Sequence, residues 1–67
     1  MNNDKEILEE TEYIIQKELQ LYFIFGATYP EVGKRLSELL EIAKGPETKQ
    51  IIQNLIKERN RYFYRQI

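Results

Sequence analysis

The chain has 67 residues, enough for one domain, with 42% apolar and 31% charged residues and a formal net charge of −1. It contains no Cys and no His. That excludes disulfides and thiolate sites, and removes the commonest zinc ligand and the commonest general base. A core this small is marginal by itself, so another chain is the staple that remains. The apolar content argues against disorder. The acidic N-terminus carries no apolar segment of the signal-peptide kind, and the longest apolar run is far short of the roughly 20 residues needed to cross a bilayer. A cytoplasmic protein without a membrane association is expected.

The small net charge hides an asymmetry. Residues 1–22 hold six acids and two bases, residues 23–44 three of each, and residues 45–67 two acids and five bases. An acidic first third and a basic last third invite pairing, within the chain or with partners.

The first element is a helix over about 4–25, with Asp4 expected as its N-cap. Ile7, Leu8, Thr11, Ile14, Ile15, Leu19 and Tyr22 recur at helical spacing and mark one face. Glu6, Glu9, Glu10, Glu12, Gln16 and Lys17 mark the other, and acids in the first turns suit the positive end of the helix dipole. Tyr13 interrupts the pattern mildly. The stretch Leu19-Gln20-Leu21-Tyr22-Phe23-Ile24-Phe25 has six apolar or aromatic residues in seven. Seven helical residues sweep right round the axis, so this segment has no polar face and must be covered on more than one side. A strand reading would suit its composition, but no second strand exists to pair with it. Gly26 is expected as the C′ residue that ends the helix.

Thr28-Tyr29-Pro30-Glu31 has the form of a capping box. Thr28 would be the N-cap of a second helix over about 29–44, with Glu31 reaching back to it. Val32, Leu36, Leu39, Leu40 and Ala43 mark its apolar face. Gly33 weakens it or admits a close crossing. Gly45 is expected to stop this helix, and Pro46 to open a third over about 46–65. Ile51, Ile52, Leu55, Ile56, Arg59, Tyr62, Phe63 and Gln66 mark a face of that helix. The expected architecture is all-α: a single domain, residues 1–67, built as a helical hairpin with a third helix. This three-helix bundle would run up-down-up with short turns and be completed by dimerisation. Its outer helices overhang the middle one.

Catalytic chemistry finds little to work with. Glu9 with Glu12 and Glu38 with Glu41 are carboxylate pairs at i, i+3, but the helical di-iron pattern also wants Glu-x-x-His, and His is absent. No Gly-rich phosphate loop is present. No catalytic residue, metal or cofactor is assigned, and the chain is read as a non-enzyme.

Two surfaces are candidates for binding. Leu21, Phe23, Ile24 and Phe25 form an apolar interface at the end of the first helix, for self-association or another protein. Lys57, Arg61 and Arg65 fall at i, i+4, i+8 on the third helix, with Gln50, Gln53, Asn54, Asn60 and Tyr64 on or beside the same polar face. Cations for phosphate and amides for base edges are what a nucleic-acid-reading helix displays. The chain fits the helix-turn-helix motif poorly. Glu41 stands where a small residue belongs, and Lys44 and Pro46 stand where apolar residues belong.

The functional expectation is a small protein–protein interaction protein (adaptor, inhibitor or regulator) acting through apolar helical surfaces. The alternative is a nucleic-acid-binding transcriptional regulator using Lys57, Arg61, Tyr64 and Arg65. A homodimer is expected, through the end of the first helix. An antiparallel partner would set Glu6, Glu9 and Glu10 near Arg61 and Arg65 of the other copy.

Overall fold

The computed structural model describes residues 3–64, with the side chain of Tyr64 outside the description. It is a bundle of three helices, α1 (Asn3–Phe25), α2 (Pro30–Ile42) and α3 (Pro46–Tyr64). Each packs against the other two, as an all-α three-helix bundle requires. Among the described residues there is no strand.

Three contacts fix the course of the chain. Asp4 meets Gly45, Glu18 meets Arg59 and Tyr22 meets Phe63, each pair 41 residues apart. A constant difference in residue number is the mark of parallel neighbours. Hence α1 and α3 run side by side in the same direction, and α2 returns between them. The result is a rod of 37 × 20 × 14 Å.

The core is small. Ile7 of α1, Leu36 and Leu39 of α2, Ala43 just beyond it, and Ile52 of α3 are buried. Leu8, Ile14, Ile15, Val32, Leu40 and Ile56 pack around them. Thr11 is fully buried on the same face of α1, and its hydroxyl is satisfied by donating to the Ile7 carbonyl at 2.7 Å. Two residues expected on the inward face of α3, Ile51 and Tyr62, are exposed, and Gln66 lies outside the described residues.

The helix ends depart from expectation in instructive ways. Gly26 does end α1: its φ is +70°, and its N–H donates to the Tyr22 carbonyl at 2.7 Å, the single bond of an αL cap. Thr28 does not cap α2. The N-cap is Tyr29, with φ −125° and ψ 106°, and no side chain of its own caps the helix there. Proline is the reason. Pro30 at the first helical position forces the residue before it out of the helical region. Tyr29 therefore cannot be helical, and Thr28 lies one residue too early.

Asp4 is likewise not the N-cap of α1; it lies inside the first turn of that helix. Its carboxylate crosses to the α2–α3 turn and accepts from the N–H groups of Lys44 (3.1 Å) and Gly45 (2.8 Å). Gly45 does not stop α2, which ends at Ile42 with Ala43 as C-cap, its N–H donating to Leu39. Gly45 instead opens α3, its carbonyl accepting the first helical bond from Lys49. The Lys49 ammonium reaches back to donate to the Leu40 carbonyl at 2.9 Å. A carboxylate thus holds the amides of this turn, and an ammonium holds the carbonyls of the helix before it, matching the dipole ends of α3 and α2.

Candidate interaction surface

A charged layer divides the bundle. Glu18 (1% exposed) and Arg59 are both buried and face each other in a forked ion pair. Arg59 Nε donates to Glu18 Oε1 at 2.5 Å and Nη2 to Oε2 at 2.9 Å. The Glu18 carboxylate also accepts from the Tyr29 N–H at 3.3 Å, tying the residue that precedes α2 to this layer. Arg59 Nη1 donates to Asn60 Oδ1, and the guanidinium lies 5.4 Å from the Phe63 ring centre. Gly33 of α2 sits against the same guanidinium: a Cβ there would meet Nη1 at 3.6 Å.

This layer sets the height at which α2 begins. Tyr29 is tied to Glu18, while α1 continues seven residues further to Phe25. At 1.5 Å per residue, that is about 10 Å of helix. Above the layer, α1 has α3 for company. Tyr22 stacks edge-on against Phe63 (5.0 Å) and Tyr62 (6.1 Å), and Phe23 against Tyr62 (5.9 Å). The α2 side is bridged by Gly26, Ala27 and Thr28, all exposed and too small to cover it.

The consequence appears in one series of residues. Thr11, Glu18 and Phe25 are spaced by seven and share one face of α1. Their exposures are 0%, 1% and 67%. The core face continues past the point where its cover ends. Phe23 (71%) and Ile24 (69%) point to other sides of the same turn, and Leu21 is half-buried. The segment from Leu19 to Pro30 contains no charged residue. The expected interface set of Leu21, Phe23, Ile24 and Phe25 is therefore gathered at one end of the rod, three of its four members largely in water.

The basic stripe is less concentrated. Lys57 and Arg61 are exposed on α3. Arg65 and the side chain of Tyr64 lie outside the described residues. Lys57 borders a shallow groove of about 380 Å³ between α2 and α3, where Gln50, Gln53, Asn54 and Asn60 supply amides and Leu40 and Ile56 the floor. Gln50 and Asn54 bond to each other there at 3.1 Å. On the opposite flank Arg35 of α2 forks onto Glu10 of α1 (2.7 and 3.1 Å) and also reaches Glu38. These carboxylates hold the Arg35 guanidinium well above its usual pKa. Among the described residues, no three acidic side chains gather as a metal site would require. No helix is long and apolar enough to cross a membrane.

The Glu18–Arg59 pair went unread in the sequence, although a signal existed. Glu18 follows Ile7, Thr11 and Ile14 at core spacing, and Arg59 follows Ile52 and Ile56 in the same way. Opposite charges on two inward faces announce a buried pair, because a buried charge needs a partner.

Comparison of the chain with protein-family models, with curated proteins and with solved structures returns no match.

Proposed function

We propose that the protein is a small non-enzymatic interaction module, an adaptor, inhibitor or regulator of the cytoplasm, that docks through the uncharged end of α1. The observation that carries this reading is the exposure of Phe23, Ile24 and Phe25 on consecutive positions. Soluble monomers seldom leave such side chains together in water, and patches of this kind mark binding sites. The partner is a protein chain, with dimerisation as one form of docking. The test is a photo-crosslinking residue in place of Phe23, activated in native cells. A discrete protein adduct that disappears with Phe25→Asp is expected. No discrete adduct, or one indifferent to that substitution, overturns the reading.

One observation favours a second reading. The amide-lined groove beside Lys57 carries the side chains that contact phosphate and base edges. In this reading the protein is a transcriptional regulator that uses Lys57, Arg61, Tyr64 and Arg65. Binding of duplex DNA or RNA should then weaken steeply with salt, and the slope should shrink in Lys57→Gln/Arg61→Gln. Absence of binding at low salt removes it.

A further inference from the structure

We infer that the Glu18–Arg59 pair is a register lock. It holds α1 at one height against α2 and α3, and so fixes how far the apolar end of α1 stands clear of α2. The apolar contacts do not select that height by themselves. Asp4–Gly45, Glu18–Arg59 and Tyr22–Phe63 share a separation of 41 residues. In that register Thr11 is level with Ile52, and Ile15 with Ile56. If α1 slides down by four residues, about 6 Å, Ile15 comes level with Ile52 and Leu19 with Ile56. Side chains four residues apart share a helix face, so apolar rows meet in either position.

The charged layer does not tolerate the slide. Glu18 comes level with Leu55 and Arg59 with Tyr22. Glu18 then keeps neither the guanidinium nor the Tyr29 N–H, the two donors it holds in the native register. A carboxylate in a dry site without a partner is strongly disfavoured. Setting the register of otherwise permissive apolar faces is the best-attested use of a buried polar group.

The opposite slide is blocked by the chain. From Phe25 to Pro30 the backbone makes five steps of at most about 3.6 Å each. That path already descends about 10 Å and crosses to a helix roughly 8–10 Å away. Raising α1 by another turn takes it to the limit of an extended chain, whereas lowering α1 slackens it. The downward slide is therefore the one the pair has to prevent. Asp4 opposes it too, through the Lys44 and Gly45 N–H groups. That hold lies nearer the surface, where water replaces a lost hydrogen bond, so the buried pair is the stronger of the two. In the native register about 10 Å of α1 stands above the layer, and the slide would leave about 4 Å. The lock thus governs the end that carries Phe23, Ile24 and Phe25, whatever that end binds.

The test is a distance within one copy. The chain has no cysteine, so Lys5→Cys and Glu58→Cys, both at exposed positions on α1 and α3, carry two spin labels well apart along the rod. Labelled chain is diluted with unlabelled chain, so that only separations within a copy are read. With Glu18 and Arg59 in place, pulsed spin-resonance measurement should give one narrow population. With Glu18→Leu/Arg59→Met the helical circular dichroism should remain, and a second population should appear, longer by about 5 Å. Adding Asp4→Ala should enlarge it. Glu18→Met/Arg59→Leu serves the same purpose should the first pair fail to fold. A single unchanged distance in a folded apolar variant overturns the inference, as does a second population with Glu18 and Arg59 in place. Loss of helix in both apolar variants also overturns it, because the pair would then be a requirement of folding and not of register.

Discussion

Glu18 and Arg59 meet across the bundle with a forked contact, and neither has water to fall back on. Such a pair is costly to break and cheap to replace, because removing one partner strands the other charge in a dry site. Arg59→Met alone should destabilise the protein by about 3–5 kcal/mol. Glu18→Leu with Arg59→Met should recover most of that loss. The recovery should remain incomplete by about 1 kcal/mol, because the Tyr29 N–H also loses its acceptor. Urea midpoints of the three proteins check this. A double variant no better than the single one would show that the charges contribute more than mutual compensation.

Asp4 gives the protein an acid limit. The Lys44 N–H, then the Gly45 N–H, hold its carboxyl below the ordinary value of 3.8, with lesser help from Thr48 and the Lys44 charge. A depressed carboxylate stabilises the fold fully above its unfolded pKa, and the contribution disappears as pH falls through the lower folded value. Stability should therefore decline below about pH 4, and Asp4→Asn should be less stable at neutral pH with a flatter acid limb. Thermal midpoints between pH 2 and 7 measure both.

Two glycines should respond in opposite directions. At Gly33 a Cβ meets the Arg59 guanidinium at an ordinary 3.6 Å. Gly33→Ala should stabilise the protein by up to about 1 kcal/mol through helix propensity. At Gly45 a Cβ would come within 2.9 Å of the Asp4 carboxylate, displacing it from the turn. Gly45→Ala should lower the denaturation midpoint and remove the acid dependence ascribed to Asp4.

Thr28→Ala should be nearly silent. An N-cap threonine is worth about 1 kcal/mol, but Thr28 is exposed and outside the helix. A change within about 0.5 kcal/mol is expected. A loss of a full kcal/mol would return the cap to Thr28.

The sequence made the three helices legible because their punctuation is strong. Gly26, Pro30 and Pro46 each have one structural use at a helix end, and the apolar spacing between them is regular. The exposed end of α1 was equally legible, since seven residues without a polar face leave a surface to cover. The joints were harder to read. Thr28-x-x-Glu31 satisfies a local rule, and the local rule lost to the constraint Pro30 places on Tyr29. The joints are held instead by Glu18, Asp4 and Lys49. Glu18 and Asp4 lie 11 and 40 or more residues from the groups they satisfy, and Lys49 reaches back across the turn to α2. No local pattern encodes such a partner.

The separation of 41 residues between α1 and α3 partners also bears on how fast the fold assembles. The α2–α3 hairpin closes through a three-residue connection, so its contacts come at little cost in chain entropy. Those between α1 and α3 demand closure of a loop an order of magnitude longer, at about 2 kcal/mol more. They are rewarded only once the hairpin presents Arg59 and the amides of Lys44 and Gly45 together. The α1–α3 contacts are thus expected to form after those of the two short hairpins, α1 with α2 through residues 26–29 and α2 with α3. Substitutions at Asp4 and Glu18 should act chiefly on the rate of unfolding, whereas those at Leu36, Leu39 and Ile52 should slow the search for the native state.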